Sequence, residues 1–168
     1  MDARTLTVSG PGAAPCALTI RRAAIEEILA LRHRILREGL PLEAANFPGD
    51  REETTLHVGA FDGLSVAVGC ASMMLNRWEG EAAWQLRGMA TDAGVQSLGV
   101  GKAVLDHLTE LALASPQKVR LFWCNARVPA LRFYAREGWQ VMSEEFDIPT
   151  AGPHRKLMKR LNPTCSAR

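Results

Sequence analysis

Gln96-Ser97-Leu98-Gly99-Val100-Gly101-Lys102-Ala103 stands between a strand-like stretch over residues 83–90 and a helical run over residues 100–114, and its reading decides the fold. Two glycines two apart, where a loop becomes a helix, let backbone amides come close to a ligand. The first N–H groups of a helix have no partner inside it, and the positive end of its dipole favours an anion such as a phosphate. An isolated Gly-x-Gly is equally compatible with a helix start whose glycines only relieve packing, so the neighbouring residues have to choose.

Two phosphate motifs fail here on residue identity. A triphosphate loop needs Gly-x-x-x-x-Gly-Lys-Ser/Thr, but Gln96 stands five before Gly101, and Ala103 follows Lys102 where a hydroxyl for magnesium is required. Starting at Gly94 puts Val100 where the lysine belongs. A dinucleotide fingerprint needs Gly or Ala three residues after Gly101, and Val104 is there. What remains is Gln-x-x-Gly-x-Gly, carried by Gln96, Gly99 and Gly101, after a strand and before a helix.

Upstream, residues 17–22 alternate as a strand does, and Ile25, Ile28, Leu31 and Ile35 recur at helical spacing over residues 24–37. Gly39 and Pro41 end that helix, and the acidic stretch 41–53 reads as a solvated, irregular or partly helical connection. Residues 54–61 and 64–75, joined through Asp62-Gly63, give the strongest hairpin signal, and a polar turn at 76–81 leads to a third antiparallel strand over 82–90. Downstream, Val104, Leu108 and Leu111 form one apolar stripe, which Ser115-Pro116 ends. The apolar run 119–124 is then a central strand parallel to the one before, because a helix crosses between them. Pro129 suits the first turn of a helix over 130–137, Gly138 its left-handed stop, and 139–146 and 154–161 two last strands.

Length and composition bound the rest. A chain of 168 residues with 47% hydrophobic content can hold one well-buried core. Residues 1–16 read as a flexible leader, 17–161 as a single domain and 162–168 as a loose tail. Twenty basic and eighteen acidic residues leave a net charge of +2 with no basic stripe, which argues against nucleic acid. Cys16, Cys70, Cys124 and Cys165 are far apart, without zinc-like spacing to a histidine, so no metal is expected, and Cys70 and Cys124 read as buried reduced thiols. This fits a reducing cytoplasm. The N-terminal stretch lacks the apolar core of a signal peptide, and no run approaches the roughly 18 apolar residues of a membrane helix.

The element order and the Gln96–Gly99–Gly101 pattern together resemble the GNAT superfamily of N-acetyltransferases over residues 17–161. The stretches 31–37, 84–90 and 145–154 resemble a small uncharacterised bacterial subgroup of it. The resemblance implies an α/β (α+β) fold with a mixed, mostly antiparallel sheet of six or seven strands and about four helices. It also implies acetyl-CoA as co-substrate, its pantetheine arm lying between two strands that splay apart. Carried over, the backbone of Met89, Ala90 and Thr91 pairs with the pantetheine amides. Gln96, Ser97, Leu98, Gly99, Val100, Gly101 and Lys102 hold the pyrophosphate, and Asn125 lines the arm. The Gln96 position is often arginine in the family, a charge that Lys102 or Arg127 is expected to supply.

The family places a tyrosine in the setting Ala-x-x-x-Tyr-x-x-x-Gly-aromatic, matched by Ala130, Tyr134, Gly138 and Trp139, with Trp139 where phenylalanine is usual. Tyr134 is then the general acid that protonates the CoA sulfur, a role worth about 10²- to 10⁴-fold. The alternative is a tyrosine that packs on an amphipathic helix with its hydroxyl at the surface. The implied activity is transfer of an acetyl group to a primary amine of a small molecule or peptide by direct attack in a ternary complex. A sensor or partner module that binds acetyl-CoA without much transfer is the competing reading, and a longer acyl donor is a third.

The acceptor stays open. Acids in 41–53 and Glu144, Glu145 and Asp147 suit a cationic acceptor, whereas Arg32, Arg34 and Arg37 argue for the reverse. Glu43, Glu145, His33 and His154 lie in segments that border the acceptor side in the family, and the sequence picks none of them as the base. Arg87 or His154 faces the acceptor amine or its carboxylate by resemblance; alternatively Arg87 pairs with a neighbouring carboxylate and His154 caps the last strand. Exposed sheet edges could support a homodimer.

Overall fold

The structure is a computed structural model, and residues 3–163 are described. Its elements run β1 (Arg4–Val8), β2 (Cys16–Arg22), α1 (Ile25–Leu36), β3 (Leu56–Phe61), β4 (Ala67–Trp78), β5 (Glu81–Thr91), α2 (Val100–Ala114), β6 (Leu121–Arg127), α3 (Leu131–Arg136), β7 (Gln140–Val141), β8 (Phe146–Ile148) and β9 (Gly152–Arg160). The strands form one sheet in the order β1-β2-β3-β4-β5-β6-β9-β7, with β8 also on β9. Every pairing is antiparallel except β5–β6, where α2 makes the crossover.

Side-chain alternation on β3 explains the two layers. All six of its residues are buried. Val58 and Ala60 join Val104, Leu105 and Leu108 of α2 in one core, while Phe61 packs with Ile25, Ile28 and Leu31 of α1 in another. The helices therefore cover opposite faces, each burying one stripe. At the start of α1 the Glu27 carboxylate accepts from the Ala24 amide at 2.8 Å, half of a capping box. The β4–β5 hairpin turns through Glu79 and Gly80, both with positive φ, the requirement of a tight two-residue loop.

Several expectations need correction. Residues 4–8, read as part of a leader, form β1 and pair with β2 from Arg4–Ile20 to Val8–Cys16. Strand alternation there was hidden by the short run and the Gly/Pro cluster that follows it. Among the described residues there are nine strands instead of six or seven and three α-helices instead of about four, because residues 41–53 supply only a 3-10 turn at Leu42–Ala45. The strand expected over 139–146 is two short pieces, β7 and β8, both on β9. The second hairpin strand starts at Ala67, not at residue 64, because the Asp62 carboxylate binds the amides of Leu64 and Val66 and lengthens the turn.

Cys70 and Cys124 are buried free thiols, as expected, and Cys16 is exposed; Cys165 lies outside the described residues. Among the described residues no helix is long and apolar enough to cross a membrane, and no cluster of potential metal ligands occurs.

Candidate active site

Where β5 and β6 run side by side they pair only at Trp84–Phe122 and Gln85–Trp123. Beyond that point β5 pairs with β4 alone and β6 with β9 alone, so the two strands part and their facing edges carry unpaired backbone groups. A bulge drives the divergence: Cys70 is opposite Ala90 but Ser72 is opposite Arg87, which leaves Gly88 and Met89 facing Ala71. A cavity of about 270 Å³ occupies the gap, lined by residues of both strands and by Tyr134 and Ala130.

At the end of β5 the chain enters the glycine loop. Ser97 and Gly99 have positive φ, Gly99 at +85°. Open space surrounds the place of a Gly99 Cβ, so this glycine serves the backbone turn and leaves the approach to the loop clear. Gly101 is crowded instead, its Cβ position lying 3.3 Å from Met89 Cε and 3.6 Å from Thr91 Oγ1. The first helical bond of α2 runs from the Ala103 amide to the Gly99 carbonyl, 3.0 Å. The amides of Val100, Gly101 and Lys102 precede it, and no side chain caps them.

Gln96 and Lys102 are already engaged. The Gln96 amide nitrogen donates to the Thr91 carbonyl at 3.1 Å, tying the loop back to β5. Lys102 Nζ is bound by Asp106 at 2.9 Å and Glu137 at 3.1 Å, which raise its pKa. Its charge is thus answered within the protein, and Arg127, the other cation expected at the pyrophosphate, donates to the Leu36 carbonyl at the end of α1 at 3.0 Å.

Tyr134 sits on α3 with its ring edge-on to Phe133 and Trp139, at centroid distances of 5.2 and 5.5 Å. Gly138, at φ +81°, ends the helix, and the Trp139 amide returns to the Tyr134 carbonyl at 3.0 Å, which brings Trp139 under the tyrosine. The side chain is 6% exposed, and its hydroxyl is 3.5 Å from Met89 Sδ on the diverging strand. Burial, aided by the nearby Cys124 thiol, pushes its pKa well above the usual tyrosine value of 10. The surface-hydroxyl alternative is therefore wrong. Asn125, on β6, is exposed and lines the cavity.

The opposite wall rests on residues 45–50, inside the stretch 41–53 expected to be solvated, and on the side chains that hold them. Arg32 is fully buried and donates to the Asp50 carboxylate at 2.6 Å, the Ala45 carbonyl at 3.0 Å and Ser72 Oγ at 2.7 Å. His57 closes the ring, with Nε2 donating to the Asp50 carbonyl at 2.8 Å and Nδ1 accepting from Ser72 Oγ at 2.6 Å. Burial lowers the His57 pKa, so its ring stays neutral. This network fixes residues 45–50 and sets Phe47 against the cavity, with Arg32, Arg37 and Arg87 guanidiniums 4.5, 4.9 and 5.2 Å from its ring centre. The only sequence signals were a basic residue in register with the apolar stripe of α1 and an acid ahead of a strand.

Of the four candidate bases, only His154 lines the cavity. It is 5% exposed, and Nδ1 donates to the Gly152 carbonyl at 2.7 Å, which leaves Nε2 with its lone pair. His33 instead bonds the Leu40 carbonyl at 2.6 Å, and Glu43 and Glu145 are exposed away from the cavity. Arg87 lines the cavity and donates to the Pro48 carbonyl at 2.7 Å, without the carboxylate partner that its structural reading required.

Comparison with known proteins places this geometry. The profile of the acetyltransferase (GNAT) domain matches residues 53–141. The uncharacterized N-acetyltransferase YitI of Bacillus subtilis is 35% identical over 146 residues, spanning 86% of this chain and 97% of that protein. A GNAT-family acetyltransferase from Staphylococcus aureus Mu50 superposes with a TM-score of 0.65 at 17% identity, over 86% of this chain and 99% of that one. An aminoglycoside 6'-N-acetyltransferase complexed with coenzyme A gives 0.67 at 11% identity, over 86% and 97%.

Proposed function

The chain belongs to the GNAT family and is an N-acetyltransferase, and on that premise we propose that it transfers an acetyl group from acetyl-CoA to a primary amine by direct attack in a ternary complex. The acceptor is a small molecule or a peptide end. The observation that carries this reading is the buried Tyr134 hydroxyl at Met89, on the strand edge left unpaired by the divergence of β5 and β6.

The residues present fit the co-substrate. Met89, Ala90 and Thr91 bring backbone groups of the diverging strand to an amide-bearing arm, with the Thr91 carbonyl already accepting from Gln96. Asn125 lines the cavity from β6, and the loop Gln96 to Lys102 presents the uncapped amides of Val100, Gly101 and Lys102 to a pyrophosphate. Acetyl-CoA supplies the activated thioester. As the amine nitrogen bonds to the acetyl carbon and the C–S bond breaks, Tyr134 gives its proton to the departing sulfur. Its raised pKa keeps that proton in place at neutral pH. The nitrogen loses a proton in turn, and His154 Nε2 is the acceptor the cavity offers. Neither buried thiol serves as nucleophile: burial raises the pKa of Cys124, which lines the cavity, and raises that of Cys70, which packs beneath α1, to about 11.

Calorimetric titration with acetyl-CoA, CoA and ATP, followed by thiol release against an amine panel, tests the proposal. Selective binding of acetyl-CoA with amine-dependent thiol release is expected. Binding without release by any amine would point to a sensor, and failure to bind either CoA species would remove the assignment of the glycine loop.

A further inference from the structure

We infer that the acceptor carries a carboxylate near the amine that is acetylated, and that Arg37, Arg87 and Arg127 hold it. The inference rests on the acetyl-transfer reading and names its substrate class. All three arginines line the cavity beside Tyr134, and among the described residues no aspartate or glutamate does.

The three guanidiniums are arranged for an anion that the protein itself does not provide. Arg37 Nη1 and Arg127 Nη2 donate to the same oxygen, the Leu36 carbonyl, at 2.8 and 3.0 Å. Two like charges thus converge on one acceptor at the end of α1. Arg87 reaches the Pro48 carbonyl, and Arg37 and Arg87 both stack on the Phe47 platform, 4.9 and 5.2 Å from its ring centre. Among the described residues none of the three has an ion-pair partner, whereas Arg4, Arg21, Arg32, Arg34, Arg51 and Arg160 each have one. Arg22, Arg77, Arg120, Arg132, Arg136 and Arg155 also lack an ion-pair partner among the described residues, but none of them lines this cavity, where Arg37, Arg87 and Arg127 stand together.

That arrangement opposes folding. Burial lowers the pKa of Arg37, with the charges of Arg127 and Arg32 adding to it, and burial also lowers that of Arg87, against the attraction of Asp50 and Glu52, neither of which bonds to it. Guanidiniums held together at such a cost, each with most of its five N–H donors free, suit bidentate capture of a carboxylate. Aminoglycosides and polyamines, whose amines are cations, meet repulsion in the same place. The loop network of Arg32, Asp50, Ser72 and His57 pre-sets the platform, so little ordering is needed when the acceptor binds.

Glutarate and cadaverine, equal in chain length and opposite in charge, separate the possibilities when each is titrated into the full chain with and without CoA. Acetyl-CoA is titrated separately. Glutarate is expected to bind and cadaverine not to bind, and Arg87→Gln and Arg127→Gln should each weaken glutarate at least tenfold while leaving acetyl-CoA affinity unchanged. The control Arg77→Gln, on the β4–β5 hairpin, should change neither. In thiol-release assays, free amino acids should exceed their carboxamides at least tenfold in kcat/KM, with the loss in the arginine variants falling on the acceptor KM. Cadaverine binding at least as tightly as glutarate, binding of neither probe, or equal use of acids and amides would overturn the inference. So would weakened acetyl-CoA binding in the arginine variants, since the guanidiniums would then be holding CoA phosphates. Failure of acetyl-CoA to bind the wild-type chain would instead strike the acetyl-transfer reading.

Discussion

The guanidinium of Arg32 fills the space that a side chain at residue 88 would need: a Cβ on Gly88 would lie 2.6 Å from Arg32 Nε and 2.9 Å from Cζ. Gly88 also has φ +59°, and it forms the bulge that turns β5 away from β6. Shaping the cleft and burying the arginine are therefore one requirement. Gly88→Ala should destabilise the protein by at least about 1–2 kcal/mol from the backbone conformation alone, with a further cost as the Arg32–Asp50 pair shifts. Urea denaturation measures this, and a midpoint equal to wild type would show that the bulge tolerates a Cβ.

Tyr134→Phe should lower kcat by about 10²-fold or more, the scale of lost general-acid help, while acetyl-CoA affinity stays within a few-fold. Because burial raises the pKa of this hydroxyl, deprotonation of Tyr134 should not reduce activity up to pH 10. The same shift makes stability fall with rising pH above 10, where the unfolded chain releases a proton that the folded chain retains. A full-rate phenylalanine variant would leave the proton to come from elsewhere.

Gly99→Ala places a side chain at φ +85° and should cost about 1–2 kcal/mol of loop stability. Gly101→Val, crowded by Met89 and Thr91, should displace the strand edge itself. Both are expected to weaken acetyl-CoA at least tenfold by calorimetry with secondary structure intact by circular dichroism. Unchanged affinity in both would return the loop to a packing role.

His107, on the buried face of α2, has neither ring nitrogen bonded within the protein, and burial lowers its pKa. Below the ordinary value of 6.5 the unfolded chain takes up a proton that the buried ring refuses, so stability present above that pH is lost as the pH falls. His57 acts in the same direction. His107→Leu should therefore raise stability by roughly 1 kcal/mol at pH 7, the lower end of the cost of an unsatisfied buried group, and flatten the decline of Tm between pH 7 and 5. A Tm–pH curve parallel to wild type would count against this.

Removing residues 1–9 should destabilise the fold, because β1 pairs along its length with β2 and Val8 is 4% exposed. Burial of one such side chain is worth about 1.5–3 kcal/mol. Thermal melting of the truncated chain decides between this strand and a dispensable leader.

The sequence made the central machinery legible because periodicity and glycine placement are local signals. Ile25, Ile28 and Leu31 mark the buried stripe of α1; Gly99 and Gly138 mark two left-handed positions; Tyr134 falls in register with Trp139. The wall built on Arg32, Asp50, Ser72 and His57, which the proposal gives to the acceptor, was illegible for the opposite reason. Asp50 and Ser72 are 22 residues apart and Arg32 is 40 residues from Ser72, and nothing in composition distinguishes a carboxylate bound inside a ring of hydrogen bonds from one in water. The unpaired state of Arg37, Arg87 and Arg127 is likewise a property of tertiary neighbours. Residue type shows a charge, and only the fold shows whether it is answered.

The divergence of β5 and β6 divides the cleft by chemical origin. On the proposed assignment the acetyl-CoA side is made largely of peptide groups, which side-chain substitutions leave in place unless they introduce proline or replace a special glycine. The acceptor side is made of side chains at positions 37, 47, 87, 127 and 154, each of which a single codon change replaces. Relatives with this scaffold can therefore diverge in what they acetylate while keeping what they acetylate with, and the chain offers an engineer five exchangeable positions on a fixed donor platform.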